Sequence, residues 1–94
     1  MARNQEVAEL FAENLKHCRR LANLSQEELA YRASIHRTEI SMLERGLREP
    51  RLGTVVKLIT CLEARPEKLI GNITWLPGSV QVGSFQAKER ANGH

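Results

Sequence analysis

LSQEELAYRASIHRTEISMLERG, residues 24–46, carries two helix starts and two helix stops in quick succession. Ser25 is followed by Gln26-Glu27-Glu28, so a serine stands at an N-cap and a glutamate at N3, the two halves of a capping box. Leu24 and Leu29 flank the box at the spacing of a hydrophobic staple. The helix begun there turns Leu29, Ala30 and Ala33 inward and leaves Gln26, Glu27, Tyr31 and Arg32 more exposed. Ser34-Ile35-His36 is too short for anything but a turn. A second helix then runs from Arg37 to Arg45 with Ile40 and Leu43 on one face, and Gly46 supplies its left-handed C-cap.

Two short helices joined by so tight a turn form a helix-turn-helix, the arrangement that lays its second helix in the major groove of DNA. The outer face of that second helix offers His36, Arg37, Thr38, Ser41 and Met42. These side chains are short or forked and can reach base edges, unlike the Glu/Lys alternation of a merely solvated helix. The reading is sequence-specific binding of double-stranded DNA. The same spacing also occurs in helical hairpins of protein-interaction domains, which is the competing reading. Arg45, Arg48 and Arg51 flank the second helix as candidate phosphate contacts, although plain solvated charge explains Arg48 and Arg51 equally well.

Upstream, Val7, Leu10, Phe11, Leu15, Cys18, Leu21 and Ala22 recur at three- and four-residue steps, the buried stripe of a helix over residues 6–22. Asn23 is placed to cap its end, and His17 reads as an exposed histidine. Downstream, Pro50 bars helix continuation. A fourth helix covers Leu52 to Leu62 with Leu52, Val55, Val56, Ile59 and Leu62 inward. Arg51 occupies its N-cap, so that start is poorly capped. Pro66 suits N1 of a short fifth helix to Ile70, which Gly71 ends. In the tail, Ile73 to Leu76 and Val80 to Val82 have strand-like composition around a Pro77-Gly78-Ser79 turn signal, and a β-hairpin is one reading of it. Ile70, Trp75, Val80, Val82 and Phe85 are costly to expose together, so the tail must lie on its own helices or across a dimer, the dimer being slightly favoured. From Gln86 onward the chain is polar and reads as frayed.

The 94 residues suffice for one small domain, divided here into a five-helix unit over 1–71 and an extension over 72–94. Fourteen Lys and Arg against eleven Asp and Glu give a net charge of +3, which suits phosphate but is weak support alone. No apolar run approaches a membrane span and the first residues lack a signal-peptide core, so the expectation is a cytoplasmic protein. Cys18 and Cys61 stand far apart, form no CxxC-like pair, and read as reduced structural thiols, not metal ligands. Paired carboxylates, an activated nucleophile and a glycine-rich phosphate loop are all missing, which argues against an enzyme and against any cofactor.

LSQEELAYRAS, HRTEISMLERG and REPRLGTVVKL together resemble the lambda-repressor/Cro class of helix-turn-helix proteins, the Xre-like family, over Val7 to Gly71. The Arg-Thr-x-Ile-Ser run is also similar to that of restriction-modification controller proteins within the same class. The resemblance implies an all-α, five-helix DNA-binding domain, here with a short C-terminal extension. It implies an internal salt bridge between Arg19 and Glu44, locking the first helix onto the recognition helix. It places Gln26 on a backbone phosphate, aided by the N–H groups of its helix start. Arg37 matches a base-reading position where arginine can grip guanine O6 and N7, Thr38 matches the next, and Met42 lies one turn on, reading thymine methyls or filling partial core. Glu39 would accept from cytosine N4 or, by preference, hold Arg37. The family generally dimerises on palindromes, implying a homodimer on an inverted repeat and a role in repression or autoregulation. An antitoxin or bridging module, with a protein partner bound by the tail, is the rival.

Overall fold

The computed structural model describes residues 5–78 and 83–88. Five helices precede a two-stranded antiparallel sheet: α1 (Gln5–Leu21), α2 (Gln26–Ala33), α3 (Arg37–Glu44), α4 (Leu52–Leu62), α5 (Pro66–Leu69), β1 (Ile73–Pro77) and β2 (Gly83–Ala87). The capping box at α2 is complete. Ser25 Oγ accepts from the Glu28 N–H at 2.9 Å, and Glu28 Oε1 accepts from the Ser25 N–H at 2.7 Å. Leu24 and Leu29, the two arms of the staple, are both buried.

Four helices stop in the same way. A left-handed residue follows each, and the next N–H reaches back over the last turn: Leu24 to Arg19 O, Ile35 to Ala30 O, Leu47 to Met42 O and Ala64 to Ile59 O, at 3.0–3.2 Å. The left-handed residues are Asn23, Ser34, Gly46 and Glu63. This is the Schellman motif, normally built on glycine because other residues meet a steric cost there. The exceptions have a physical reason. Leu24, Ile35 and Ala64, the residues that follow Asn23, Ser34 and Glu63, pack into or against the core and offset that cost. Leu47, which follows Gly46, is exposed and offsets nothing. Gly46 also lies close to α1, where an added Cβ would touch Glu9 at 3.4–3.5 Å.

The core gathers Phe11, Leu15 and Cys18 of α1, Leu29, Ala30 and Ala33 of α2, Ile40 and Leu43 of α3, Val55, Leu58 and Leu62 of α4, and Leu69 of α5. Several positions depart from the stripes expected of the sequence, Ala22 among them, exposed just past the end of α1. Leu52 is 78% exposed and Val56 55%, whereas Leu58 is fully buried. The apolar side of α4 is broader than the face that α2 covers, so periodicity alone does not single out the buried part of it. Leu21 is 70% exposed because it overhangs the end of α1, at the mouth of a groove of about 310 Å³ shared with Leu62, Ala64 and Lys68. Ala8 and Ala12 are buried in its stead, small residues that let neighbours approach α1.

The extension is a hairpin, in a different register from the one its composition suggested. Trp75 opposes Phe85, Thr74 opposes Gln86 and Ile73 opposes Ala87, so Gln86 and Ala87 belong to a strand instead of a frayed end. Pro77 pairs with Gly83 and is no turn residue. Val80 and Val82 lie outside the described residues. The aromatic pair accounts for the register: the Trp75 and Phe85 rings meet edge to face with centroids 4.9 Å apart. Trp75 lies over Gly83, where a Cβ would collide with the ring and stand 2.7 Å from Leu76 O. The hairpin rests on its own chain. Phe85, Gln86 and Ala87 border a cleft with Glu9, Leu10 and Glu13, and Asn14 Nδ2 donates to Leu69 O (2.7 Å) and Asn72 Oδ1 (2.8 Å). Ile70 and Trp75 remain partly exposed.

Candidate nucleic-acid interface

Helix α3 is held from behind by Ile40 and Leu43, both fully buried, and by Glu44, only 4% exposed. Its first turn projects outward as a consequence. His36 sits at the N-cap without a side-chain cap bond, and His36, Arg37 and Thr38 are all exposed. Ser41 and Met42 come one turn later on the same side and are half-buried, as is Glu39. The helix therefore presents its N-terminal end most fully, the end that helix-turn-helix proteins bring to base edges. Tyr31 of α2, which the sequence marks only as exposed, is 87% exposed in the fold. It borders a shallow depression with Ser34, Ile35 and His36, which puts a phenol beside the start of α3. Only the fold could bring it there, since nothing in the α2 pattern marks it.

One buried carboxylate ties this unit to the rest of the domain. Arg19 grips Glu44 in bidentate fashion, Nε to Oε2 at 2.5 Å and Nη2 to Oε1 at 3.0 Å. The remaining Arg19 nitrogen, Nη1, donates to the Leu24 carbonyl at 2.7 Å. Gln26 Nε2 also donates to Glu44 Oε1, at 3.1 Å. Burial pushes the Glu44 carboxyl up, but the hydrogen bonds from Arg19 and Gln26, with the charges of Arg19 and Lys16, outweigh it. The group lies below the ordinary carboxylate value. Its hydrogen bond to Glu44 likewise holds Arg19 above the usual guanidinium value. α1, the α1–α2 turn, the start of α2 and the end of α3 thus meet on the Arg19–Glu44 pair.

Gln26 is half-buried at N1 of α2. The first N–H groups of a helix have no partner within it, and Ser25 takes that of Glu28, so those of Gln26 and Glu27 are left for an anion. Arg45, Arg48 and Arg51 are exposed on the α3–α4 connection. Arg51 occupies the N-cap of α4 without a side-chain cap bond, which leaves its guanidinium free for other work. Away from this face, both cysteines are free. The Cys18 thiol is pushed up by burial, against the pull of Lys68, and Cys61 Sγ donates to Arg32 O at 3.2 Å. Among the described residues no group of side chains could hold a metal ion, and no helix is long and apolar enough to cross a membrane.

Residues 15–69, which contain the two helices, their turn and the Arg19–Glu44 pair, match a family model described as helix-turn-helix, HTH_3. The chain belongs to this family. Its members are DNA-binding transcription regulators of the Xre-like type, not enzymes. Among relatives, Control protein C.SmaI of Serratia marcescens is 38% identical over 65 residues, covering 69% of this chain and 77% of that protein. Control protein C.BamHI of Bacillus amyloliquefaciens is 37% identical over 62 residues, 65% of this chain and 76% of the relative. The crystal structure of the restriction-modification controller protein C.AhdI from Aeromonas hydrophila superposes with a TM-score of 0.64 at 33% identity. The match covers 96% of that chain but 67% of this one.

Proposed function

We propose that this regulator binds a palindromic operator as a homodimer and acts as a repressor or autoregulator in the cytoplasm, in the manner of a restriction-modification control protein. The outward first turn of α3 carries the proposal. In it Arg37 reads guanine, Thr38 and His36 read neighbouring positions, and Ser41 and Met42 extend the contact by one turn. Gln26, Arg45, Arg48 and Arg51 position the domain on phosphates. The control-protein assignment is supported by the names of the relatives at 37–38% identity. Dimerisation is supported by the large apolar side chains the single chain leaves exposed, Leu21, Leu52, Val56, Ile70, Trp75 and Leu76.

Selection from a random duplex pool at two salt concentrations tests the proposal. An enriched inverted repeat with half-sites about 34 Å apart is the expected outcome. Enrichment of no sequence, with weak binding that salt abolishes, would leave only the phosphate term and return the domain to a protein-interaction role.

A further inference from the structure

The Arg19–Glu44 pair explains how α1 and α3 are locked, but not why Gln26 joins it. We propose that Glu44 is a positioning residue for DNA binding, which fixes the end of the Gln26 amide that faces a phosphate; this rests on the functional reading above. An ionised carboxylate only accepts hydrogen bonds, so the amide end turned to Glu44 is the NH2 group, at 3.1 Å. The reverse orientation would set the amide oxygen against Glu44 Oε1, acceptor against acceptor. One Nε2 hydrogen is held by Glu44, and the second is left to donate to the phosphate. The bidentate bond to Arg19 keeps the carboxylate still and neutralises it, so that a negative charge buried close behind a phosphate site does not repel the phosphate. Gln26 therefore meets DNA with its rotation already spent, which lowers the ordering cost of binding.

The test uses the full chain and the duplex recovered by selection. Affinity is measured for wild type, Gln26→Ala, Glu44→Gln and the double variant, each first checked to be folded at the assay temperature. Gln26→Ala should weaken binding about tenfold. Glu44→Gln should weaken it by a smaller factor, and the double variant should bind within about twofold of Gln26→Ala, because Glu44 acts through Gln26. Losses that multiply in the double variant would overturn the role. Wild type that binds no duplex would overturn the functional reading and this role with it. If Glu44→Gln does not fold, the free wild-type protein still decides. The side-chain amide protons of Gln26, followed by NMR, should exchange with water more slowly than those of an exposed glutamine and shift when Glu44 is protonated. Amide protons that behave as in free glutamine at every pH would overturn the proposal.

Discussion

Replacing Arg19 with alanine tests the central link of the fold more sharply than any core deletion. The substitution strips Glu44 of two of its three hydrogen-bond donors and leaves the Leu24 carbonyl without its donor. Gln26 can hold only one carboxylate oxygen, and Lys16 lends charge without a bond. A carboxylate 4% exposed is then almost unpaired, and breaking a buried pair from one side costs about 3–5 kcal/mol. Domains of this size hold roughly 5–15 kcal/mol in total, so Arg19→Ala should be near the edge of folding. With a urea m-value of about 2 kcal/mol/M, the unfolding midpoint should fall by about 2 M, measured by circular dichroism at one fixed protein concentration. Arg19→Met combined with Glu44→Leu fills the same space without charge and should regain most of that loss. A midpoint that moves by less than about 0.5 M in Arg19→Ala, or a paired variant no more stable than the single one, would refute the reasoning.

Arg37→Ala should cost about 1–3 kcal/mol on the cognate duplex and relax preference at one base pair, whereas equal loss on every duplex would make Arg37 a phosphate contact. Gly83→Ala forces a Cβ into the Trp75 ring. Because the chain has one tryptophan, its emission should shift towards that of a wetter indole, with a stability loss of about 1–3 kcal/mol; unchanged emission would refute the packing. Acid should destabilise the protein through Glu44 and Glu28, both held below the ordinary carboxylate value, the latter by its hydrogen bonds with the Ser25 backbone and side chain and by the charge of Arg32. Each takes up its proton at a higher pH when unfolded. Their contribution is therefore complete above the ordinary carboxylate range and disappears as pH falls through the folded value. Urea midpoints from pH 7 to 3 should fall in wild type and fall less in the Arg19→Met, Glu44→Leu pair; parallel profiles would refute this share for Glu44.

The parts of the fold that local chemistry specifies could be read from the sequence, and the parts that tertiary contacts specify could not. Ser25 and Glu28 announce α2 because a capping box needs only neighbours. Leu29, Ile40 and Leu43 announce the core faces because each helix there has a single apolar side. In α4 that signal is too coarse, since Leu52, Val55, Val56, Leu58, Ile59 and Leu62 share one broad side of the helix and only the packing of α2 selects the Val55, Leu58 and Leu62 part of it. The hairpin register failed for a related reason. Val80 and Val82 have the stronger strand propensity, but pairing Trp75 with Phe85 over Gly83 is a relation between strands, invisible to composition. At the candidate interface, the types and order of His36, Arg37 and Thr38 were legible. The bond from Gln26 to Glu44, eighteen residues apart, was not.

That bond changes what the motif's glutamine is for. A glutamine on an exposed helix start has either end of its amide to offer and pays in rotational freedom for any contact. Here the same carboxylate that locks α3 to α1 also holds the first residue of α2, so the geometry that stabilises the domain and the geometry proposed to meet a phosphate share one group. On the proposed role, a substitution at Glu44 acts on stability and on affinity together, while one at Gln26 acts on affinity with little effect on the Arg19 lock. The difference follows from donor and acceptor counts alone: Arg19 still gives Glu44 two bonds without Gln26, but Gln26 has no other acceptor in this network to set its amide without Glu44.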